Sequence, residues 1–316
     1  MSRPSPSRPR RSRRVLRVPS FAKVNLGLEV LGRRQDGYHE LRTLFQTIDL
    51  ADEVALRPRP AAEGVTVECD HPLVPRDGTN LAAQAAEALR RYARVEAGVH
   101  IAIRKRIPVG GGLGGGSSNA AAVLRGLDHL WRLGLGPSGL HLLARKLGAD
   151  VPYFLVGGTA LGLARGDEVY PLRRQVRSHV VLVDAGMPVS TAAVFRRLDG
   201  SLTPRENSNS IFYFVSRDLE GKRELRLLAN DLERAALDEA PRLKEWAGRI
   251  RDVLVQEGAE LAALTGSGST YFGLFEGAQP ARRARAALRA AGFAAIGART
   301  LSLAQYRKAW SRSLVR

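Results

Sequence analysis

Six of the seven residues from Gly110 to Gly116 are glycine, and no other segment constrains the chain as much. Residues without a Cβ reach positive φ freely and let a ligand approach the backbone itself. The cluster lies between an apolar strand-like run, GVHIAIRKRI (98–107), and an Ala-rich helical pattern, SSNAAAVLRGLDHLWRLG (117–134). A flexible linker is the plain alternative, but a linker would not join a strand to a helix in this way. A helix start behind a glycine loop offers unpaired N–H groups and the positive end of a dipole, which together cradle phosphate. Pro108, Val109, Gly110, Gly111, Gly112, Leu113, Gly114, Gly115 and Gly116 form this loop. Ser117 and Ser118 add hydroxyls for a phosphate or its cation.

Two other phosphate loops fit poorly. Gly110 to Gly115 satisfies G-x-G-x-x-G, but the acidic residue expected about twenty positions on is missing, because Asp128 falls inside the following helix. A Walker A loop would end in Gly-Lys-Ser/Thr, which this run does not. A nucleotide bound without the Walker lysine needs its cation and catalytic groups from elsewhere, and two candidates stand out. Lys23 interrupts the alternating strand pattern Val24, Leu26, Leu28, Val30, and Asp150 lies between Gly148–Ala149 and Val151–Pro152. Taken singly, spacing favours a snorkelling lysine and a helix-capping aspartate.

Elsewhere the chain mixes strands and helices without regular βαβ repetition, which points to α+β. Helices are expected at 79–95, with Thr79 or Asn80 as cap, and at 137–148, with Ser138 as cap. Residues 201–224 read as polar and irregular apart from the aromatic run 211–214. The single cysteine, Cys69, excludes a disulfide framework or a cysteine-rich zinc site, and the scattered histidines form no metal-ligand pair.

The net charge of +18 suggests a polyanionic partner. Its distribution weakens that reading. Residues 1–17 carry seven arginines and residues 301–316 four basic residues, with no acid in either, which leaves +7 for everything between. The Pro/Ser/Arg-rich start reads as a solvated tail, with a weak nucleic-acid or anionic-surface contact as the alternative. It has no apolar core of a secretory signal, and its prolines argue against an amphipathic transit helix.

The glycine–serine loop closely resembles the ATP-binding motif of the galactokinase/homoserine/mevalonate/phosphomevalonate (GHMP) kinase superfamily. Four blocks narrow the resemblance to the 4-diphosphocytidyl-2-C-methyl-D-erythritol kinases: AKVNLGLEVLGRRQDGYHELRTLFQTIDLAD (22–52), PVGGGLGGGSSNAAAVLRGL (108–127), LGADVPYFLVGGTALGLARGD (147–167) and LTGSGSTYFGLF (264–275). NDLE (230–233) adds a shorter element, and the resemblance spans about residues 18–303.

The resemblance implies a two-lobed fold. Its N-terminal lobe (18–174) would be ribosomal protein S5 domain 2-like and its C-terminal lobe (175–303) ferredoxin-like; the basic tails expected from composition, 1–17 and 304–316, lie outside the resemblance. It implies Asp150 as catalytic base and Lys23 as its charged neighbour, with ATP as co-substrate and Mg²⁺ as cofactor. Asn80 and Leu81 would border the adenine. Asn25, Tyr38, His39, Thr191 and Phe195 would hold the acceptor, with Tyr38 and His39 at its cytidine end. The turn 266–269 would back the site. Asn119 stands where many GHMP kinases have aspartate, so the protein ligand of Mg²⁺ stays open. The implied partner is a cytidine diphosphate methylerythritol, with no specific nucleic acid and no membrane, in a cytoplasmic bacterial monomer or homodimer.

Overall fold

A computed structural model describes residues 15–199, 209–219 and 224–315. Most of the expected tail at 1–17, and residues 201–208 and 220–223 of the irregular stretch, lie outside the described residues. The alternating run becomes β1 (Leu16–Arg33), which pairs antiparallel with β2 (His39–Arg59) across a turn at Asp36–Gly37. β1 begins at Leu16, and Arg17 already pairs with Glu53, so the last two residues of the expected tail, 16 and 17, belong to a strand.

β1 is buried almost continuously between Val18 and Val30 rather than on alternate residues. One end packs into the N-terminal core through Val18 and Phe21, while Leu26, Leu28 and Val30 meet residues of the C-terminal half. A strand covered on both faces cannot leave its polar residues in water, so Lys23, Asn25 and Glu29 are buried and must find partners inside.

Around β2 the N-terminal sheet runs β3-β4-β2-β5-β6, with β1 paired to β2 as well. β3 (Val65–Cys69) and β4 (Gly98–Arg104) are parallel, and β5 (Thr159–Leu163) and β6 (Glu168–Pro171) are antiparallel additions. Four helices accompany this sheet: α1 (Leu81–Ala93), α2 (Gly115–Trp131), α3 (Gly136–Leu147) and α4 (Val151–Val156). Asn80 caps α1 by accepting from the Ala82 N–H, as the sequence suggests. Ser138 is not the cap of α3. That helix starts two residues earlier, where Pro137 supplies a helical φ in the first turn.

The second sheet is antiparallel, in the order β10-β7-β9-β8. Its strands are β7 (His179–Asp184), β8 (Leu261–Leu264), β9 (Tyr271–Phe275) and β10 (Ala294–Arg299). α5 (Thr191–Asp199), α6 (Ser210–Leu219), α7 (Leu232–Glu239) and α8 (Pro241–Gln256) lie between the first two strands. α9 (Ala278–Ala290) lies between the last two. The resulting βαββαβ order, with its two central strands contributed by β7 and β9, is the ferredoxin-like topology. The fold is α+β and two-lobed.

Two expectations need correction. The aromatic run 211–214 is part of α6, where Ile211 and Phe214, three apart, are buried while Phe212 and Tyr213 face out. Residues 304–315 of the expected C-terminal tail are not a tail, since α10 (Leu303–Val315) folds back onto the N-terminal lobe. Tyr306 and Trp310, one turn apart, are buried, and the Tyr306 hydroxyl donates to the Phe154 carbonyl. Arg125 covers the Trp310 ring at 4.2 Å. Among the described residues no helix is long and apolar enough to cross a membrane.

Candidate active site

The glycine loop closes one side of a cleft of about 950 Å³ between the two lobes. Gly110, Gly112 and Gly114 have φ of +77°, +76° and +71°, so the loop folds through three left-handed residues. It also lies tight against the C-terminal lobe: Thr270 N–H donates to the Gly111 carbonyl, and the Thr265 hydroxyl lies 3.3 Å from the Gly112 carbonyl. α2 follows with Gly114 as its N-cap and no side chain capping it. The Gly115, Gly116 and Ser117 segment lines the cleft, so the helix presents its free N–H groups to whatever the loop holds.

Ser118 departs from expectation. It is buried and its hydroxyl meets Ser20 Oγ at 2.8 Å, because the second serine of the pair falls on the inner face of α2. Every other residue expected at the site lines the cleft: Lys23, Asn25, Tyr38, His39, Asn80, Leu81, Pro108 to Ser117, Asp150, Thr191 and Phe195.

At the floor, Lys23 Nζ lies 3.5 Å from Asp150 Oδ2. Lys23 does not snorkel: its side chain is 4% exposed, and its ammonium also donates to Asn25 Oδ1 at 2.5 Å. Asp150 occupies the N-cap position of α4 but makes no capping bond, and its carboxylate is 32% exposed. Asn25 is held in turn by Thr43 Oγ1 and by Thr265, whose hydroxyl accepts from the Asn25 N–H. Two strands and the second lobe thus fix an ammonium beside a free carboxylate.

A different wall is aromatic. His39 stacks on Phe195 with centroids 4.6 Å apart, and its Nε2 lies 2.7 Å from Asp199 Oδ1. Tyr38 is 56% exposed, with the Arg165 guanidinium 4.8 Å from its ring centre. Arg165 is anchored by Asp167, which Arg145 also contacts. Burial pushes the Asp167 carboxyl up, but the hydrogen bonds and charges of the two arginines outweigh it and hold the carboxyl below its usual range. Thr191 Oγ1 meets Ser267 Oγ at 2.8 Å, which places the turn 266–269 behind the site.

Sequence reasoning missed Lys105, Arg165 and Asp199, all of which line the cleft. Lys105 lies three residues before the glycine loop, and Arg165 lies inside the matched block 147–167, so each had a local signal. Asp199 had none, because tertiary packing alone brings it to His39. Among the described residues no three His, Cys, Asp or Glu side chains converge as a metal cluster.

The GHMP kinases N-terminal domain model matches residues 80–158, and the GHMP kinases C-terminal model matches residues 215–294. With that cleft and that two-lobed fold, the chain is a GHMP kinase. A 4-diphosphocytidyl-2-C-methyl-D-erythritol kinase of Gloeobacter violaceus is 43% identical, covering 83% of this chain and 86% of its own length. Its counterpart in Citrifermentans bemidjiense is 42% identical, covering 90% and 99%. A crystal structure of 4-(cytidine 5'-diphospho)-2C-methyl-D-erythritol kinase superposes with a TM-score of 0.72 at 38% identity, covering 90% of this chain and 99% of that one. The chain belongs to the 4-diphosphocytidyl-2-C-methyl-D-erythritol kinase family.

Proposed function

We propose that the chain transfers the γ-phosphoryl group of ATP to the 2-hydroxyl of 4-diphosphocytidyl-2-C-methyl-D-erythritol, giving the 2-phosphate and ADP in the non-mevalonate route to isopentenyl diphosphate. The observation that carries this reading is the Lys23–Asp150 pair, 3.5 Å apart on the floor of a cleft with a glycine loop on one side and aromatic rings on another. Asp150 accepts the hydroxyl proton as the oxygen attacks the γ-phosphorus and the bond to ADP breaks. Lys23, 3.5 Å from that carboxylate, stabilises charge on the incoming oxygen and the moving phosphoryl group. The glycine-loop amides and the start of α2 hold the phosphates in line, with Asn80 and Leu81 at the adenine. Tyr38 and Phe195 offer faces for the pyrimidine. Asp199 fixes His39 in orientation, and Asn25 and Thr191 border the acceptor.

The donor set suits a Mg²⁺ that arrives with the triphosphate, because Mg²⁺ keeps water and phosphate ligands and needs only one or two protein oxygens. Ser117, at the start of α2, and Asp150 both line the cleft and would offer it such oxygens. Bound, the ion would neutralise phosphate charge. We assign residues 18–174 and 175–303 to the two lobes, with the chain changing sheets between Pro171 and His179.

A coupled ADP-release assay with the cytidylated alcohol, mevalonate and homoserine tests the assignment. Turnover should be confined to the cytidylated alcohol. Turnover only with mevalonate or homoserine would leave the chain a GHMP kinase of another specificity.

A further inference from the structure

Asp52 is a fully buried carboxylate that the chemistry above does not use. It lies on β2 beneath the glycine loop. Oδ1 accepts from the backbone N–H groups of Arg106 at 2.7 Å and Ile107 at 2.9 Å, the two residues immediately before the loop. Oδ2 accepts from Lys105 Nζ at 2.5 Å and from Asn119 Nδ2 at 3.0 Å, just beyond the loop's other end. One carboxylate therefore grips both ends of the nine-residue loop 108–116 with all four of its acceptor sites. Asn119 Nδ2 also contacts Ser20 Oγ at 2.8 Å, which ties the same point to β1.

Two physical consequences follow. A glycine-rich segment loses more backbone entropy on ordering than any other, so its geometry depends on how firmly its ends are held. A buried carboxylate with every acceptor site filled is a rigid anchor, whereas a partly satisfied one would be costly. The grip also reaches the cleft itself. Lys105 lines it, and its Nζ lies 3.0 Å from where a Cβ on Gly115 would be, beside the first turn of α2.

We infer that Asp52 is a positioning residue for the nucleotide: it sets the spacing of the glycine loop and aims the Lys105 ammonium at the start of α2. The Asn119 amide serves as a donor to that carboxylate. This places position 119 in the loop's support, where a second carboxylate would face Asp52 and repel it. The inference rests on the reading of the cleft as a kinase site.

The test is steady-state kinetics on the full chain, with KM measured separately for ATP and for the cytidylated alcohol and a thermal midpoint for each variant. Asp52→Asn leaves an oxygen for the Arg106 and Ile107 N–H groups but turns an amide donor towards Lys105 and Asn119. It should raise the ATP KM on the order of 10- to 100-fold, the scale of a small misplacement of binding groups, with the alcohol KM little changed. Asn119→Ala removes a single donor and is the milder variant should Asp52→Asn not fold, and it should raise the ATP KM by less. The swap D52N/N119D keeps one amide and one carboxylate beside Lys105 and should recover most of the loss. An unchanged ATP KM in the folded variants would overturn the inference. So would a rise of both KM values together with a fall in thermal midpoint, which marks general loosening. If the wild type does not turn over the cytidylated alcohol, the functional reading fails separately, and calorimetric titration of the same variants with ATP then decides the role of Asp52.

Discussion

At Gly112 the backbone has φ of +76°, and a Cβ there would stand 2.2 Å from the Thr265 carbonyl oxygen. Gly112→Ala should therefore lower stability by roughly 1–3 kcal/mol and weaken ATP binding, as read by thermal unfolding and the ATP KM; an unaltered variant would contradict this packing. Asp167 makes a second residue-level prediction. Its folded pKa lies below the ordinary aspartate value, so the stability it contributes is full above about pH 3.9 and is lost as pH falls through the lower folded value. Urea midpoints from pH 6 down to pH 3 should fall less steeply for Asp167→Asn than for the wild type, and parallel curves would show that the two arginines do not depress this group. The loop glycines were legible residue by residue, because only backbone access explains so many in one place. Lys23 and Asp150 were not: spacing alone favoured snorkelling and capping, and resemblance supplied their roles. The structure excludes the bland alternatives by burying the ammonium and leaving the carboxylate free of any cap.

Elements were legible where one face is wet and less so where both faces are covered. α1 and α3 lie where helical spacing is expected. β1 showed its alternation, but nothing local signalled that its polar residues would also be buried, since that depends on the second lobe packing across it. α10 was misread because its basic residues dominated the reading. Arg307, Lys308 and Arg312 are exposed, while Tyr306 and Trp310, with the partly buried Leu314, form an i, i+4, i+8 stripe against the N-terminal core. Trp310→Ala should then cost about 3–5 kcal/mol, seen as a lowered denaturant midpoint. A change close to zero would return the segment to the status of a tail.

On the scale of the whole molecule, the +18 charge says little about the partner. The exposed face of α10 accounts for part of it, and three of the cations that line the cleft, Lys23, Lys105 and Arg165, each lie beside a carboxylate. The cleft joins parts of the chain far apart in sequence: the glycine loop and Lys23 from one lobe, Thr191, Phe195 and the 265–270 turn from the other. That convergence was not visible in spacing, because it is made by lobe-on-lobe packing. The proposed route takes phosphoryl transfer to the cytidylated alcohol through the Asp150 carboxylate. It is tested most directly by the rate of ADP release with saturating ATP and 4-diphosphocytidyl-2-C-methyl-D-erythritol, wild type against Asp150→Ala. The wild type should turn over and the variant should lose on the order of 10²–10⁴ in kcat while still binding ATP. An Asp150→Ala enzyme as fast as the wild type would contradict the account.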